Sequence, residues 1–464
     1  MKWELAWNDP FTLYLDPYAA LIGDRRTWTT FTETLKGIVA SGSLVCQRIA
    51  VHSPVLGAVK KGAQRIIRMA TGSTTKRSPD LDASHLTAQL RLQAVAHLAT
   101  LPSDELWLLA DGSDLRKPYA TAMPNLMQVR ALDGTLVPGY RTLSVLGLTP
   151  QRRGILYHRL FSSTAADFVS EPHEVQTALT TVSQAIAPLQ ATLAVSWIVD
   201  SGFDDVAVWR TIWHQQQHVI CRLSHTERLV EFPAEQDGWQ SGSIAQARTR
   251  MRRLTQTSTT VDVTQPRTRH TKPQSVIAEI WVVPIRLTYA TNVRRPGPGT
   301  LVTKPLWLVE IRLLGTKLEP WLLLTDWVVE TAAQGVRILT MYRQRWGVED
   351  SFKWTKDCLG WEEVQLLELA GIRLLVAMAW VAAGFLYQLG ITLDDESVQV
   401  LARLGGWEPR PNRPPGKLTL TRGLRRVVDL LATDAFLQAY YRDHGPFPSR
   451  LAAFLHSWQP RDEL

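Results

Sequence analysis

The sequence predicts an α/β protein in which a β-rich segment interrupts the core and helical regions flank it. Its 464 residues exceed what one hydrophobic core usually serves, so two or three domains are expected. Strand-like and helix-like runs alternate over residues 101–224, which is typical of a sheet covered by helices. Val-, Thr- and Ile-rich runs between Pro/Gly turns then interrupt this alternation over residues 225–316.

Residues 1–100 are predicted to be helical. Ser53 and Pro54 form a plausible cap and first turn for the segment VLGAVKKGAQRIIRMATG, and Gly72 is placed to end that helix. Four basic residues give the helix a charged side: Lys60, Lys61, Arg65 and Arg68. Such a side is either a solvated surface or a contact for the phosphates of nucleic acid, and both interpretations remain open.

Residues 101–224 are predicted to form three strands, a helix, a strand, a helix and a strand. Two acids sharpen this pattern, because the run LWLLA ends at Asp111 and the run TLAVSWIV ends at Asp200. The order and the position of the acids favour a ribonuclease-H-like core. Asp114 is an alternative to Asp111 as the first functional acid. Asp204 and Asp205 are weaker alternatives to Asp200.

The remaining chain is divided into three predicted parts. Residues 225–316 form a β-rich insertion, residues 317–372 complete the core, and residues 373–464 form a helical C-terminal region with a possible role in dimerisation. The apolar run at residues 374–389 is shorter than the roughly 20 residues that span a bilayer, so a buried core helix is expected rather than a membrane segment.

Composition and charge narrow the functional classes. The chain has 51 Lys and Arg against 43 Asp and Glu, a net charge of +8, and this positive field favours a polyanionic partner such as DNA. Its 3 cysteines are far apart, which supports neither a disulfide framework nor a compact zinc knuckle. We therefore expect a reducing cytosol, and the N-terminal residues do not have the pattern of a secretory signal.

The most specific pattern is formed by Tyr342, Arg345, Glu349 and Lys356. On a continuous helix these four side chains would lie within about 60° of one another, beside an apolar stripe that buries the helix. A carboxylate on such a face suits a hard cation, while Arg, Lys and Tyr suit phosphate oxygens. The alternative is an ordinary amphipathic helix with an Arg345–Glu349 ion pair on its surface. Residues 329–360 as a whole are predicted to form one long helix or a helix pair.

This spacing, Y-x2-R-x3-E-x6-K, resembles the signature of the insertion-sequence-four family of DDE transposases. The segment from Trp321 to Leu389 resembles that family's C-terminal catalytic block, and LWLLADGSD and SWIVDSGFDD are similar to its earlier motifs. Three departures are Asp111-Gly-Ser-Asp114 in place of Asp followed by threonines, Ser201 in place of Arg, and Gly347 in place of a bulkier residue.

The resemblance implies that Asp111, Asp200 and Glu349 are catalytic and hold two Mg²⁺ ions, for which Mn²⁺ can substitute. Two such ions about 4 Å apart need carboxylates from different elements. Tyr342, Arg345 and Lys356 are then expected to bind DNA near the cut. Trp321 is expected to stack on a flipped base, or else to pack beside the LLLT strand.

The expected activity is cut-and-paste transposition of an insertion sequence: nicking at the terminal inverted repeats, hairpin formation and opening, and strand transfer to target DNA. The partner is double-stranded DNA, bound at its ends by the N-terminal helices. The resemblance also implies a homodimer in the DNA synaptic complex, no membrane, and a cytoplasmic, nucleoid-associated location in bacteria.

Two other functions remain open: a ribonuclease-H-like DNA nuclease that cuts without strand transfer, and a catalytically silent DNA-binding protein derived from a transposase. Retention of all three acids together with Tyr342, Arg345 and Lys356 argues against lost catalysis. His214 and His218 have a spacing that can bind zinc, but no third ligand of matching kind is evident, and a polar helix end is the preferred interpretation.

Overall fold

The computed structural model describes residues 4–53, 57–72, 81–131, 133–264, 271–287, 304–408, 415–446 and 448–449. The chain forms two compact units. We call the first the helical unit; it contains Met1–Asp80, Trp354–Leu366 and Phe385–Leu464. We call the second the sheet unit; it contains Leu81–Lys353 and Leu367–Gly384.

The described helices are α1 (Glu4–Leu15), α2 (Arg25–Ser41), α3 (Cys46–Val51), α4 (Val59–Thr71), α5 (Ala83–Leu98), α6 (Glu171–Gln190), α7 (Val206–His214), α8 (Ile244–Arg248), α9 (Ala332–Arg343), α10 (Trp346–Leu359), α11 (Leu369–Thr392), α12 (Asp395–Leu404) and α13 (Lys417–His444). The described strands are β1 (Glu105–Arg116), β2 (Met127–Arg130), β3 (Leu136–Leu148), β4 (Arg153–Phe161), β5 (Ala194–Val199), β6 (His218–Arg222), β7 (Leu229–Pro233), β8 (Trp239–Ser243), β9 (Arg252–Thr264), β10 (Thr271–Leu287), β11 (Lys304–Leu313) and β12 (Trp321–Thr325).

A 12-stranded mixed sheet dominates the sheet unit, in the order β2-β3-β1-β5-β6-β12-β11-β10-β7-β8, with β4 paired to β3 and β9 to β10. The ladders β1–β5 and β5–β6 are parallel, and the other ladders are antiparallel. The predicted mixed α/β class is therefore confirmed. The predicted element order over residues 101–224 is also observed, with one additional short strand, β2.

The centre of the sheet is apolar because its strands are buried on both faces. In β5 every residue from Val195 to Val199 is buried, which matches the continuous apolar run expected of a parallel strand. Trp197 is fully buried, and its indole donates a hydrogen bond to Gln217 Oε1 at 2.6 Å. The helix α6 packs into the same core through Val182 and Ile186.

The β-rich insertion extends the main sheet. Of its strands, β10 pairs with β9, β7 and β11, and β11 pairs with β12, which follows the insertion. The register of β10 against β11 runs without interruption from Ala278 opposite Leu313 to Leu287 opposite Lys304. The sequence RRPGPGT and two of the insertion's arginines, Arg267 and Arg269, lie outside the described residues.

The helical unit is ordered by specific caps and close contacts. Helix α2 begins at the N-cap Asp24 and ends at Gly42, whose φ of 63° is left-handed. Glu363 ties distant segments together, because it accepts hydrogen bonds from the Ser43 hydroxyl and, at 2.9 Å, from Arg48. The helix α4 begins at Val59, later than predicted, and Pro54 lies outside the described residues.

The apolar run in the C-terminal region is longer than predicted. Among the described residues, Leu369–Leu389 is long and apolar enough to span a membrane by length and composition, but 78% of its apolar window is buried inside the protein. Such burial is typical of a core helix. The helix α11 contributes residues to both units, so the predicted C-terminal region of 373–464 is divided between them.

Candidate active site

Two of the predicted acids lie where a parallel ladder ends. The last pair of the β1–β5 ladder is Ala110 with Val199. Asp111 and Asp200 are the residues that follow this pair along the two strands, so the ladder itself brings them to one edge of the sheet. The prediction that the first strand ends at Asp111 is wrong, because β1 continues to Arg116 in its antiparallel pairing with β3.

The third acid, Glu349, joins this pair through Arg345. The Nη1 atom of Arg345 lies 3.8 Å from Asp111 Oδ2, 3.5 Å from Asp200 Oδ2 and 2.6 Å from Glu349 Oε1. The Arg345 side chain is only 6% exposed, whereas Glu349 remains 47% exposed. Three carboxylates from three separate elements therefore converge on one buried guanidinium.

Burial controls the electrostatics of this group. Desolvation raises the pKa of Asp111 to about 7; the Arg345 charge opposes this rise, and the charges of Glu349 and Asp200 add to it. Burial by itself would lower the pKa of Arg345, but the neighbouring carboxylates outweigh burial and raise it. The guanidinium is thus the cation that compensates the clustered negative charge.

The other nearby acids have different partners. Asp114 accepts a hydrogen bond from the Arg130 amide at 3.1 Å and lies 3.7 Å from Arg141. It is three residues from Asp111 on the same strand, so the two side chains point to opposite faces. The structure therefore brings Asp111 into the group and leaves Asp114 outside it. Asp205 caps α7, where it accepts from the Ala207 amide at 2.7 Å.

The four residues of the signature do not share one helix. Helix α9 ends at Arg343 and α10 begins at Trp346. Between them the Arg345 amide bonds to the Tyr342 carbonyl at 3.0 Å, and the Gly347 amide bonds to the Gln344 carbonyl at 2.8 Å. Because these bonds connect residues three apart, the chain turns more tightly than an α-helix. The predicted single helical face is therefore wrong, and Arg345 lies in the junction of a helix pair.

Three aromatic rings pack beside the junction. The Trp321 ring centroid lies 5.5 Å from that of Tyr342 and 5.1 Å from that of Trp346. Trp321 is only 4% exposed, whereas Trp346 is 38% exposed. The Tyr342 hydroxyl is buried and has no hydrogen-bond partner among the described residues, and burial raises its pKa. The structure thus places Trp321 and Tyr342 beneath the surface and Trp346 at it.

Trp346 was not predicted from the sequence as a residue near the three acids. Its signal was its position directly after Arg345, whose guanidinium carbon lies 5.3 Å from the Trp346 ring centroid. The chain has 18 tryptophans, and no local pattern separates Trp346 from the others.

The predicted basic residues other than Arg345 lie in the helical unit. In α4 the buried residues are Gly62, Ala63, Ile66, Met69 and Ala70, and the exposed basic residues are Lys60, Lys61, Arg65 and Arg68. Lys356, in the last turn of α10, forms an ion pair with Glu362 at 3.2 Å. The Lys356 ammonium also lies 5.7 Å from the centroid of the Trp361 ring.

The donor set fits a divalent cation, although its present spacing does not. Carboxylate oxygens are the ligands that Mg²⁺ and Mn²⁺ prefer, and Asp200 Oδ1 is buried without a hydrogen-bond partner. No group of three or more His, Cys, Asp or Glu in the part of the chain that the structure describes is spaced to hold a metal ion. His218, one of the two histidines considered for zinc, pairs with Asp326 at 3.1 Å and stacks on Trp327.

The model of the transposase DDE domain family matches residues 124–383, more than half of the chain. The chain belongs to this DDE transposase family. The matched range contains Asp200 and Glu349, whereas Asp111 precedes it. Domains of this DDE transposase family generally use divalent metal ions.

No curated protein matches the sequence. Among solved structures, the cryo-EM structure of the piggyBac transposase synaptic complex with hairpin DNA is similar, with 11% identity and a TM-score of 0.38. The similarity covers 78% of this chain and 59% of that chain.

Proposed function

We propose that this DDE transposase carries out cut-and-paste transposition with a ribonuclease-H-like core of the insertion-sequence-four type. The observation that carries the proposal is the convergence of Asp111, Asp200 and Glu349 on Arg345. These acids come from β1, from the end of β5 and from α10, which are far apart in sequence. An ordinary folded core has no need to gather three carboxylates at one edge of a sheet.

In this proposal Asp111, Asp200 and Glu349 hold two Mg²⁺ ions, or Mn²⁺ in their place. When bound, these cations stabilise charge at the phosphorus centre and activate the attacking hydroxyl group. The protein's own part is to fix the three carboxylates. The β1–β5 ladder sets the position of Asp111 and Asp200, and the first turn of α10 presents Glu349.

Several side chains are assigned to DNA contacts. Arg345 and Lys356 pair with phosphates near the cut, and Tyr342 helps to position the DNA strand. Trp321 takes part in base stacking only if its ring becomes exposed, because it is now buried. A further set forms the contact with the terminal inverted repeats: Lys60, Lys61, Arg65 and Arg68.

The reaction course follows from the resemblance to cut-and-paste transposases. The 3′-hydroxyl freed by the first cut attacks the opposite strand to form a hairpin, the hairpin is opened by water, and the 3′-hydroxyl then attacks target DNA. The DDE transposase acts as a homodimer on two DNA ends, without a membrane, at the nucleoid of a bacterial cytoplasm.

The test combines purified full-length protein, Mg²⁺ and duplex DNA that carries the terminal repeats flanking the coding sequence. Hairpin-ended and joined products should form, and Glu349→Gln should reduce both by about a hundredfold or more, since even outer-shell partners of metal ligands cost that much. The matched control is Asp350→Asn, which changes an exposed acid on the same turn outside the group. It should leave both products near the level of the unmodified protein.

Other outcomes favour the alternatives. Metal-dependent cutting without joining would indicate a nuclease of the same fold. Tight binding of the terminal repeats with no cutting by the unmodified protein would indicate a catalytically silent DNA-binding protein.

A further inference from the structure

Arg345 occupies the centre of the carboxylate group. Its Nη1 atom lies within 3.8 Å of one oxygen from each of the three acids, and its contact with Glu349 is the shortest at 2.6 Å. A Mg²⁺ ion requires its carboxylate oxygens at about 2.0–2.1 Å. A guanidinium and a divalent cation cannot share this space, because both are positive and both need the same oxygens.

The three acids are also what holds the guanidinium in place. They are its ion-pair partners among the described residues, and its Nε and Nη1 atoms are buried without a hydrogen bond of good geometry, so charge attraction is what holds the group. Arg345 lies in the α9–α10 junction rather than inside either helix. The Arg345 guanidinium carbon lies 5.3 Å from the ring centroid of Trp346, which is 38% exposed. Loss of the carboxylate contacts would therefore release the side chain.

We propose that Arg345 is an internal counter-cation that holds the three carboxylates together in the absence of DNA and competes with the divalent cation for them. A phosphodiester of bound DNA then draws the guanidinium away, so metal binding is coupled to DNA binding. Guanidinium pairs strongly with phosphate oxygens, which makes the DNA backbone a suitable second partner. This inference rests on the proposed function, and it adds that the site takes up its divalent cations when DNA is bound.

A purely supporting role for Arg345 predicts the opposite result. If the guanidinium only positions the acids for the metal, its removal should weaken metal binding. If it competes, its removal should strengthen metal binding in the absence of DNA. The sign of the change therefore separates the two roles without any measurement of catalysis.

The experiment is a Mn²⁺ titration of full-length protein without DNA, with free Mn²⁺ followed by electron paramagnetic resonance. All proteins are titrated at one mildly alkaline pH, which favours the deprotonated carboxylates that metal binding requires. Arg345→Gln should bind Mn²⁺ about tenfold more tightly than the unmodified protein, a typical size for coupling between two sites. The matched control is Arg343→Gln, whose guanidinium bonds to Thr259 at 2.9 Å, and it should leave the affinity unchanged.

A second variant covers the case in which Arg345→Gln folds poorly because three acids are left without a cation. Arg345→Lys keeps the charge at a shorter reach, so its Mn²⁺ affinity should lie between those of the unmodified protein and the Gln variant. Adding a mixed-sequence DNA duplex should raise the affinity of the unmodified protein and have little effect on Arg345→Gln.

Equal or weaker Mn²⁺ binding by both Arg345 variants would overturn the inference. A separate result would overturn the proposed function instead: Glu349→Gln that binds Mn²⁺ as tightly as the unmodified protein would show that the three acids are not the metal site. The two failures are therefore distinguishable in one titration series.

Discussion

Replacing Asp204 with asparagine should destabilise the sheet unit without removing a metal ligand. The Asp204 carboxylate is 0% exposed and lies 2.5 Å from Arg228 Nη1. It also accepts hydrogen bonds from the backbone amides of Ser224 at 2.6 Å and His225 at 2.8 Å. Asparagine removes the charge and presents an NH₂ group to some of these donors, so at least one buried donor loses its acceptor.

The expected loss follows from the burial of both partners. Arg228 is 16% exposed, and its guanidinium carbon lies 4.5 Å from the Trp209 ring centroid, so it cannot turn freely to water. Removing one member of a buried ion pair costs about 3–5 kcal/mol. With an m-value of about 3 kcal/mol/M, the urea midpoint of Asp204→Asn should fall by about 1 M or more.

The adjacent acid supplies a matched control for the urea experiment. Asp205→Asn changes an N-cap, and asparagine caps helices as well as aspartate, so the midpoint should change little. Equal midpoints for Asp204→Asn and Asp205→Asn would refute the argument that the buried pair stabilises the fold. If Asp204→Asn lost Mn²⁺ binding with an unchanged midpoint, Asp204 would be a ligand rather than a structural residue.

Three further predictions test other parts of the molecule. Burial lowers the pKa of His158 from 6.5 to about 3, so the unfolded chain binds the extra proton and stability falls as pH drops below 6.5. His158→Gln should reduce that slope by about 1.4 kcal/mol per pH unit near pH 5, measured by urea unfolding. Gly360→Ala should destabilise by at least about 2 kcal/mol in the same assay, because φ is +60° and the new Cβ would lie 2.5 Å from a backbone atom. Gly416→Ala is the milder comparison: its Cβ meets nothing within 4 Å, and because Gly416 is the N-cap of α13 the loss should be about 1 kcal/mol or less. If Lys60 and Lys61 bind phosphates, replacing both with Gln should reduce the slope of log affinity against log salt by about 2, and an unchanged slope would remove them from the DNA contact.

The sequence predicted the part of the fold that depends on local pattern. Continuous apolar runs identified β1 and β5, and parallel pairing of two such runs brings their carboxyl ends to one edge. The position of Asp111 and Asp200 at the ends of these runs made them candidates, and the family resemblance selected them. The full length of β1 was not predictable, because its last residues are held by pairing with β3 rather than by an apolar pattern.

The break between α9 and α10 had no local signal. Gln344 and Arg345 are good helix formers, and neither glycine nor proline separates Tyr342 from Arg345. Periodicity therefore extended one helical face through the junction. The observed turn places Arg345 among acids from two other elements, and such contacts cannot be read from the spacing of one segment.

Gly347 shows how the junction and the first acid are connected. A Cβ on this residue would lie 3.4 Å from Leu109 Cδ1 and 3.9 Å from both Leu148 Cδ2 and Arg153 Nη2. One added carbon is thus in ordinary contact, whereas a longer side chain would need the space of β1 and its neighbour β3. Leu109 lies two residues before Asp111, and Gly347 lies two residues before Glu349. An alanine therefore fits at this position without a shift, whereas a larger side chain would press on Leu109 of β1, close to the first acid.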